Sequence, residues 1–160
     1  MQIYYDREAA TDYAKEWALS ENPRFALNKD DNKPRGAAFV SECLLSGSGV
    51  MNNSHLCGWY YQDAANQSIS WYSHEKLHKF LLKNKRLGPF AREVTAKNVM
   101  IGDIVQMGNE KEIQHSGVIT GISGSQIFVC SHEFHSFMRP LSSYKYDKLR
   151  FLHIIGVRNS

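Results

Sequence analysis

The first half of the chain spaces its apolar residues as helices do, and the second half gathers them into short runs divided by turn residues. Ala9, Ala10, Tyr13, Ala14, Trp17 and Ala18 recur on one side of a helix that Asp6 can cap, with Arg7, Glu8, Lys15 and Glu16 turned outward. Ser20-Glu21-Asn22-Pro23 ends it, because proline biases the residue before it away from helix. Residues 25–35, rich in Asn, Asp and Lys, read as a surface loop. Pro34-Arg35-Gly36 then opens a segment whose residues 37–45 are apolar on most faces, interrupted by Ser41 and Glu42 and closed by Ser46-Gly47-Ser48-Gly49. A helix apolar nearly all round is an enclosed one, so this segment is predicted as the central helix. A third helix is predicted over 71–83, capped by Ser70, with Trp71, His74, Leu77, His78 and Leu81 along one side. Between the second and third helices, residues 51–68 include Cys57-Gly58-Trp59-Tyr60-Tyr61, for which periodicity leaves both a short strand and an ordered loop open.

After Leu87-Gly88-Pro89-Phe90 the pattern changes to apolar runs at 91–94, 104–107, 117–122, 126–131 and 151–157, with a tight turn at Ser123-Gly124-Ser125. Helices followed by strands predict an α+β architecture, with N-terminal helices packed on a C-terminal antiparallel sheet and a site where the halves meet. The length of 160 residues, 42% of them hydrophobic, suits one domain over 1–160.

Composition narrows the partners. The net charge is only +3, and the basic run at 79–86 reads as a solvated helix end, so nucleic acid is not an expected partner. Cys43, Cys57 and Cys130 are too few and too irregularly spaced for a disulfide framework, although one bridge with a free thiol stays open. There is no apolar run of membrane-spanning length, and Met1-Gln2-Ile3-Tyr4-Tyr5 lacks a signal peptide's basic and apolar regions. The chain as written is therefore expected in the cytoplasm, or outside the cell if a leader has been removed. No cofactor and no metal are expected. His74 with His78, His55 with Cys57, and Cys130 with His132 and His135 have spacings that zinc tolerates, but no set completes a zinc motif. A zinc-dependent hydrolase therefore stays a third reading.

The chemistry points to two histidines. His115 opens the run at 116–121 and His132 follows the run at 126–131, so strands paired by the hairpin would bring a base and its orienting partner to one side of the sheet. A cysteine-based amidase would carry its nucleophile at the start of such a central helix, where unpaired amides and the helix dipole favour a thiolate. No cysteine stands there.

Tyr5-Asp6-Arg7-Glu8-Ala9-Ala10, Phe39-Val40-Ser41-Glu42-Cys43-Leu44, Trp59-Tyr60-Tyr61, Ser70-Trp71, Gly102-Asp103-Ile104-Val105-Gln106, His115-Ser116-Gly117-Val118-Ile119, Ser131-His132 and Arg139-Pro140-Leu141-Ser142-Ser143-Tyr144 form an ordered set over residues 5–153. In that order they resemble the amidase-domain family of Gram-positive bacteria, related to the papain-like NlpC-type and CHAP peptidoglycan peptidases. The resemblance implies a papain-like fold acting on amide bonds of cell-wall peptides. It also implies a cysteine at the start of the central helix, a histidine opening a sheet strand and a third polar residue on the neighbouring strand. Counted back from Phe39, the cysteine's place is taken by Gly36, and Arg35 stands where an acidic residue is common.

Gly36, His115 and His132 are thus the candidate site residues, the first as a vacant nucleophile position. Cys43 lies seven residues further along, about 10 Å up the helix axis, and reads as a core thiol. Cys130 is the one substitute thiol worth weighing, since strand alternation would place it with His132. The favoured reading is an inactive relative that binds a peptide or protein in the cleft. Its alternative is a cysteine amidase of cell-wall peptides whose nucleophile has been altered. Arg139-Pro140 reads as a turn into the last strand rather than as a cleft rim.

Overall fold

The computed structural model describes residues 1–27 and 35–160. The loop expected over 25–35 and Pro34 at the helix start therefore fall largely outside the described residues. The remaining elements are mixed α and β, with four α-helices and a seven-stranded antiparallel sheet. The helices are α1 (Arg7–Trp17), α2 (Arg35–Ser48), α3 (Ile69–Tyr72) and α4 (His74–Lys83). Among the described residues no helix is long and apolar enough to cross a membrane.

Helix α1 begins where the pattern placed it: Asp6 accepts a hydrogen bond from the Ala9 amide at 3.0 Å. The predicted 71–83 helix is two helices. Ser73 adopts an extended conformation between α3 and α4 and caps α4 through the Lys76 amide at 3.2 Å, so its hydroxyl starts a new helix instead of continuing the old one. Ser70, expected as a cap, instead donates to the Gly58 carbonyl at 2.7 Å. The undecided segment 51–68 forms a small hairpin, β2 (Tyr61–Asp63) with β3 (Asn66–Gln67), preceded by a bridge between Asn52 and Trp59.

The large sheet contains β1 (Gln2–Ile3), β4 (Gly88–Val94), β5 (Ile104–Gly108), β6 (Ile113–Ser123), β7 (Gln126–Ser131), β8 (Ser136–Pro140) and β9 (Lys148–Arg158). Its order is β1-β9-β5-β6-β7-β8, with β4 also paired to β9. One face packs on the helices and contributes Ile104, Val118, Leu152 and Ile154 to the main core. The other face is closed by a smaller cluster that includes Val105, Met107, Ile119 and Val129. Burial on both faces explains why β5 is buried at every residue and shows little alternation in the sequence. Arg139 and Pro140 end β8, and the turn after them is held by Arg139, which donates to the Ser143 hydroxyl at 2.8 Å and carbonyl at 2.9 Å.

Helix α2 lies at the centre. Ala37, Ala38, Phe39, Val40, Cys43 and Leu44 are all buried. The two polar interruptions are also buried, and each has a partner. Ser41 donates to the Trp71 carbonyl at 2.8 Å and accepts the Trp59 indole N–H at 2.9 Å. Glu42 accepts from the Tyr13 hydroxyl at 2.6 Å, and burial pushes its carboxyl up to about 8. Trp59 and Trp71 pack with ring centroids 5.1 Å apart, which binds the 51–68 segment to α3 and α2.

A buried carboxylate links helix to sheet. Asp103 is fully buried and accepts from Arg7 at 2.7 Å, the Met100 amide at 2.8 Å, His153 at 2.9 Å and the Ile154 amide at 3.0 Å. Arg7 also donates to the Ile154 carbonyl at 2.6 Å. The outward orientation expected of Arg7 is corrected here: its guanidinium turns to the sheet because Asp103 waits there. Asp103→Ala is expected to cost about 3 kcal/mol by leaving the partly buried Arg7 guanidinium and the Met100 and Ile154 amides without their acceptor. Glu75→Ala, at the exposed end of the Arg150 pair, is expected to cost less than about 1 kcal/mol. Urea denaturation of both variants checks this, and similar midpoints would contradict it.

Candidate functional site

Gly36 sits in the first turn of α2, a helix of 14 residues, and is itself buried. Its surroundings are specific. A methyl group built on its Cα would overlap the carboxylate of Glu133, and the three heavy atoms it would meet first all belong to that group. Glu133 therefore occupies the volume into which any side chain at position 36 would project. A carboxylate is also the charge that a helix N-terminus favours.

Two imidazoles approach the same carboxylate. His74 Nε2 lies 3.7 Å from Glu133 Oε1, and His115 Nδ1 lies 3.9 Å from it. His115 is on β6 opposite Met107, and His74 begins α4, so a strand, a helix and a turn converge here. These separations exceed hydrogen-bonding distance. His115 Nδ1 and Glu133 Oε2 are buried polar atoms with no hydrogen-bond partner among the described residues. Orphaned donors and acceptors are costly, and they cluster where a ligand or a proton is to be received.

Behind His74 runs a chain of polar contacts. Its Nδ1 is 2.6 Å from the Ser116 hydroxyl, which accepts from Gln106 at 2.9 Å. Gln106 in turn donates to the His74 carbonyl at 3.0 Å and accepts from Arg150 at 2.8 Å. The His74 Nε2 atom is the ring nitrogen that faces Glu133. Burial lowers the His74 pKa, and the Glu133 carboxylate opposes that shift.

The turn that brings Glu133 here is strained. Strand β7 ends at Ser131, and His132 has helical backbone angles. Phe134, His135 and Met138 then have positive φ values of 62°, 43° and 49° without being glycine. Such conformations persist only where surrounding contacts enforce them. Ser131 and Ser136 both donate to the Glu133 carbonyl, at 3.0 and 3.3 Å, and pin the turn.

This geometry changes the expected pairing of His115 with His132. Strand alternation stops at Ser131, so His132 leaves the sheet and is engaged elsewhere. Its ring stacks on Phe39 with centroids 4.1 Å apart, and its Nε2 donates to the carbonyls of Trp17 at 2.8 Å and Ser20 at 3.1 Å. Burial lowers its pKa as well. His132 thus joins the end of α1 to α2, and the next residue, Glu133, meets His115.

The thiols stand apart from these groups. Cys43 is buried in the core. Cys57 is exposed beside Ser54, and Cys130 is buried with its sulfur 3.4 Å from the Thr120 hydroxyl and accepting the Met138 amide at 3.5 Å. The zinc spacings do not assemble: His78 pairs with Glu93 at 2.5 Å while His74 faces Ser116. Among the described residues no group of three or more His, Cys, Asp or Glu is placed to hold a metal ion. A cleft of about 190 Å³ opens beside the first turns of α2, lined by Phe25, Leu27, Arg35, Ala38, Glu42 and His132, among others.

A family model described as "Putative amidase domain" matches residues 4–155. No curated protein and no solved structure matches the chain.

Replacing Glu133 by Gln removes the charge that favours the His74 imidazolium, so the His74 pKa is expected to fall further below its ordinary value of 6.5. Protonation of His74 already opposes folding, so stability is lost as pH drops below the unfolded value, and E133Q shifts the folded-state titration to still lower pH. NMR titration of the histidine rings checks this, and a His74 pKa that stays put or rises in E133Q would contradict it.

Proposed function

We propose, for a chain that belongs to the Putative amidase domain family, that it is a catalytically inactive member which retains the family's cleft as a binding surface for a peptide or protein. The observation that bears this reading is the carboxylate of Glu133 in the space a side chain at position 36 would need. A vacancy left by simple loss of a thiol would be empty or filled by solvent. Here a charged side chain is held in it by a strained turn, with two imidazoles around it.

Covalent amidase chemistry needs an attacking atom, and glycine offers none. A base and oxyanion donors without the nucleophile leave only residual acceleration. Glu133 does not substitute for the thiol in this reading, because a carboxylate attacking an amide would expel a much poorer leaving group than itself. The cysteines do not support a rescue, since Cys43 and Cys130 are buried and the exposed Cys57 lines the separate cleft beside α4. The cleft beside α2 offers Phe25 and Leu27 for the apolar part of a bound peptide. Relationship to the papain-like NlpC-type and CHAP peptidases, an origin in Gram-positive bacteria and cell-wall peptides as the ligand class belong to the same proposal. They rest on the ordered motifs that include Phe39-Val40-Ser41-Glu42-Cys43-Leu44 and His115-Ser116-Gly117.

The native chain incubated with synthetic cell-wall stem peptides is expected to release no product by mass spectrometry. It is also expected to bind them saturably in calorimetry, with Leu27→Ala in the wall of the cleft weakening binding about tenfold. Hydrolysis that a thiol reagent blocks would overturn the reading, and so would a complete absence of binding.

A further inference from the structure

Helix α4 has two unlike faces. Its inner side buries His74, Leu77 and Leu81, and its outer side exposes Lys76, Lys79 and Lys83. Positions three and four apart are neighbours on a helix, so three ammonium groups share one face, an arrangement that destabilises the helix itself. The chain beyond α4 adds Lys85 and Arg86, both exposed. Among the described residues none of these five cations has a carboxylate within ion-pairing distance, whereas Arg7, Arg35 and Arg150 are each paired.

All five cations line one cleft of about 560 Å³ between α4 and the segment ending in α3. No Asp or Glu lines it. Tyr60, Phe80, Leu56 and Ile69 contribute apolar surface, and Leu56 is 99% and Ile69 57% exposed. The volume is that of a small-molecule site, roughly 300–1,000 Å³. Unpaired like charges around a concave surface focus positive potential into it. One carboxylate would neutralise a fifth of that charge, whereas a terminal phosphate alone carries about −1.5 to −2, and each further phosphate adds at least one more negative charge. Lysine holds phosphate as a point charge and needs no planar fork.

From these features we infer that the cleft is a binding site for a ligand bearing two or more phosphate groups. It is separate from the Gly36 site, since neither Gly36, His74, His115 nor Glu133 lines it. The basic run that reads in sequence as a solvated helix end becomes one wall of a concave site once the 52–70 segment folds against it.

The test uses the intact chain with inorganic tripolyphosphate, titrated calorimetrically at physiological ionic strength. Saturable one-to-one binding is expected, weakened at least about tenfold by K79Q/K83Q and less than about twofold by K145Q/K148Q, which removes two exposed cations elsewhere. These are surface changes and leave the fold intact by circular dichroism. Vesicles of cardiolipin, whose headgroup carries two phosphates, in phosphatidylcholine form a second arm. Cosedimentation that K79Q/K83Q abolishes and tripolyphosphate displaces assigns the phosphates to a lipid headgroup, and tripolyphosphate binding without cosedimentation assigns them to a soluble molecule. Absence of binding in both arms, equal losses in the two double variants, or tighter binding to duplex DNA than to tripolyphosphate would overturn the inference.

Discussion

Helix α2 is enclosed on nearly every side, and that enclosure fixes where its first turn points. Its apolar residues fill the interface between α1, α3, α4 and the sheet, and its two polar residues are matched inside that interface by Trp59, Trp71 and Tyr13. A helix held this way has little freedom to tilt or slide. The position of Gly36 relative to β6 and β7 is therefore a consequence of core packing, and the site inherits its geometry from the core. Asp103 adds a second constraint, holding the start of α1 to β9 through Arg7.

Against that fixed helix the 132–138 turn does the unusual work. Three non-glycine residues adopt left-handed backbone angles within it, and Glu133 is delivered to Gly36 rather than to solvent. Strain of this kind costs on the order of 1 to 3 kcal/mol per residue. His132 anchors the near end of the turn, stacked on Phe39 and bonded to the end of α1. The pairing of a glycine with a carboxylate that fills its space has a clear consequence. A cysteine placed at position 36 would set a thiol against a negative charge, which disfavours the thiolate that a cysteine nucleophile requires.

Much of the scaffold was legible in the sequence because it rests on local signals. Asp6, the apolar stripe after it and the near-continuous apolar run at 37–45 define α1 and α2 without reference to tertiary contacts. The short runs after residue 90 mark β4, β5, β6, β7 and β9 for the same reason, whereas β1 and β8 carry no such run and Arg139-Pro140, read as a turn, lies at the end of β8. The break at Ser73 escaped the periodicity because the apolar spacing continues across it, and only the serine's extended backbone separates α3 from α4. The site was half legible. Gly36 and His115 followed from register and from a histidine on a strand. Glu133 did not, because strand alternation extrapolated past Ser131 favours His132, and nothing local signals that the chain turns there. The roles of His74, Ser116 and Gln106 arise from contacts across 10 to 42 positions of the chain, beyond any local pattern.

Glu133 fills the space a side chain at position 36 would need, and the pH dependence of alkylation at an introduced cysteine measures that directly. In Gly36→Cys the rate with iodoacetamide at position 36, read by peptide mass spectrometry apart from the exposed Cys57, is expected to rise only above the free-thiol range near pH 8.5, because the neighbouring carboxylate opposes ionisation. In Gly36→Cys/Glu133→Ala the same profile is expected to move below that range, where the helix N-terminus favours the thiolate. A single variant that already alkylates with the lowered profile would show that Glu133 does not hold the position.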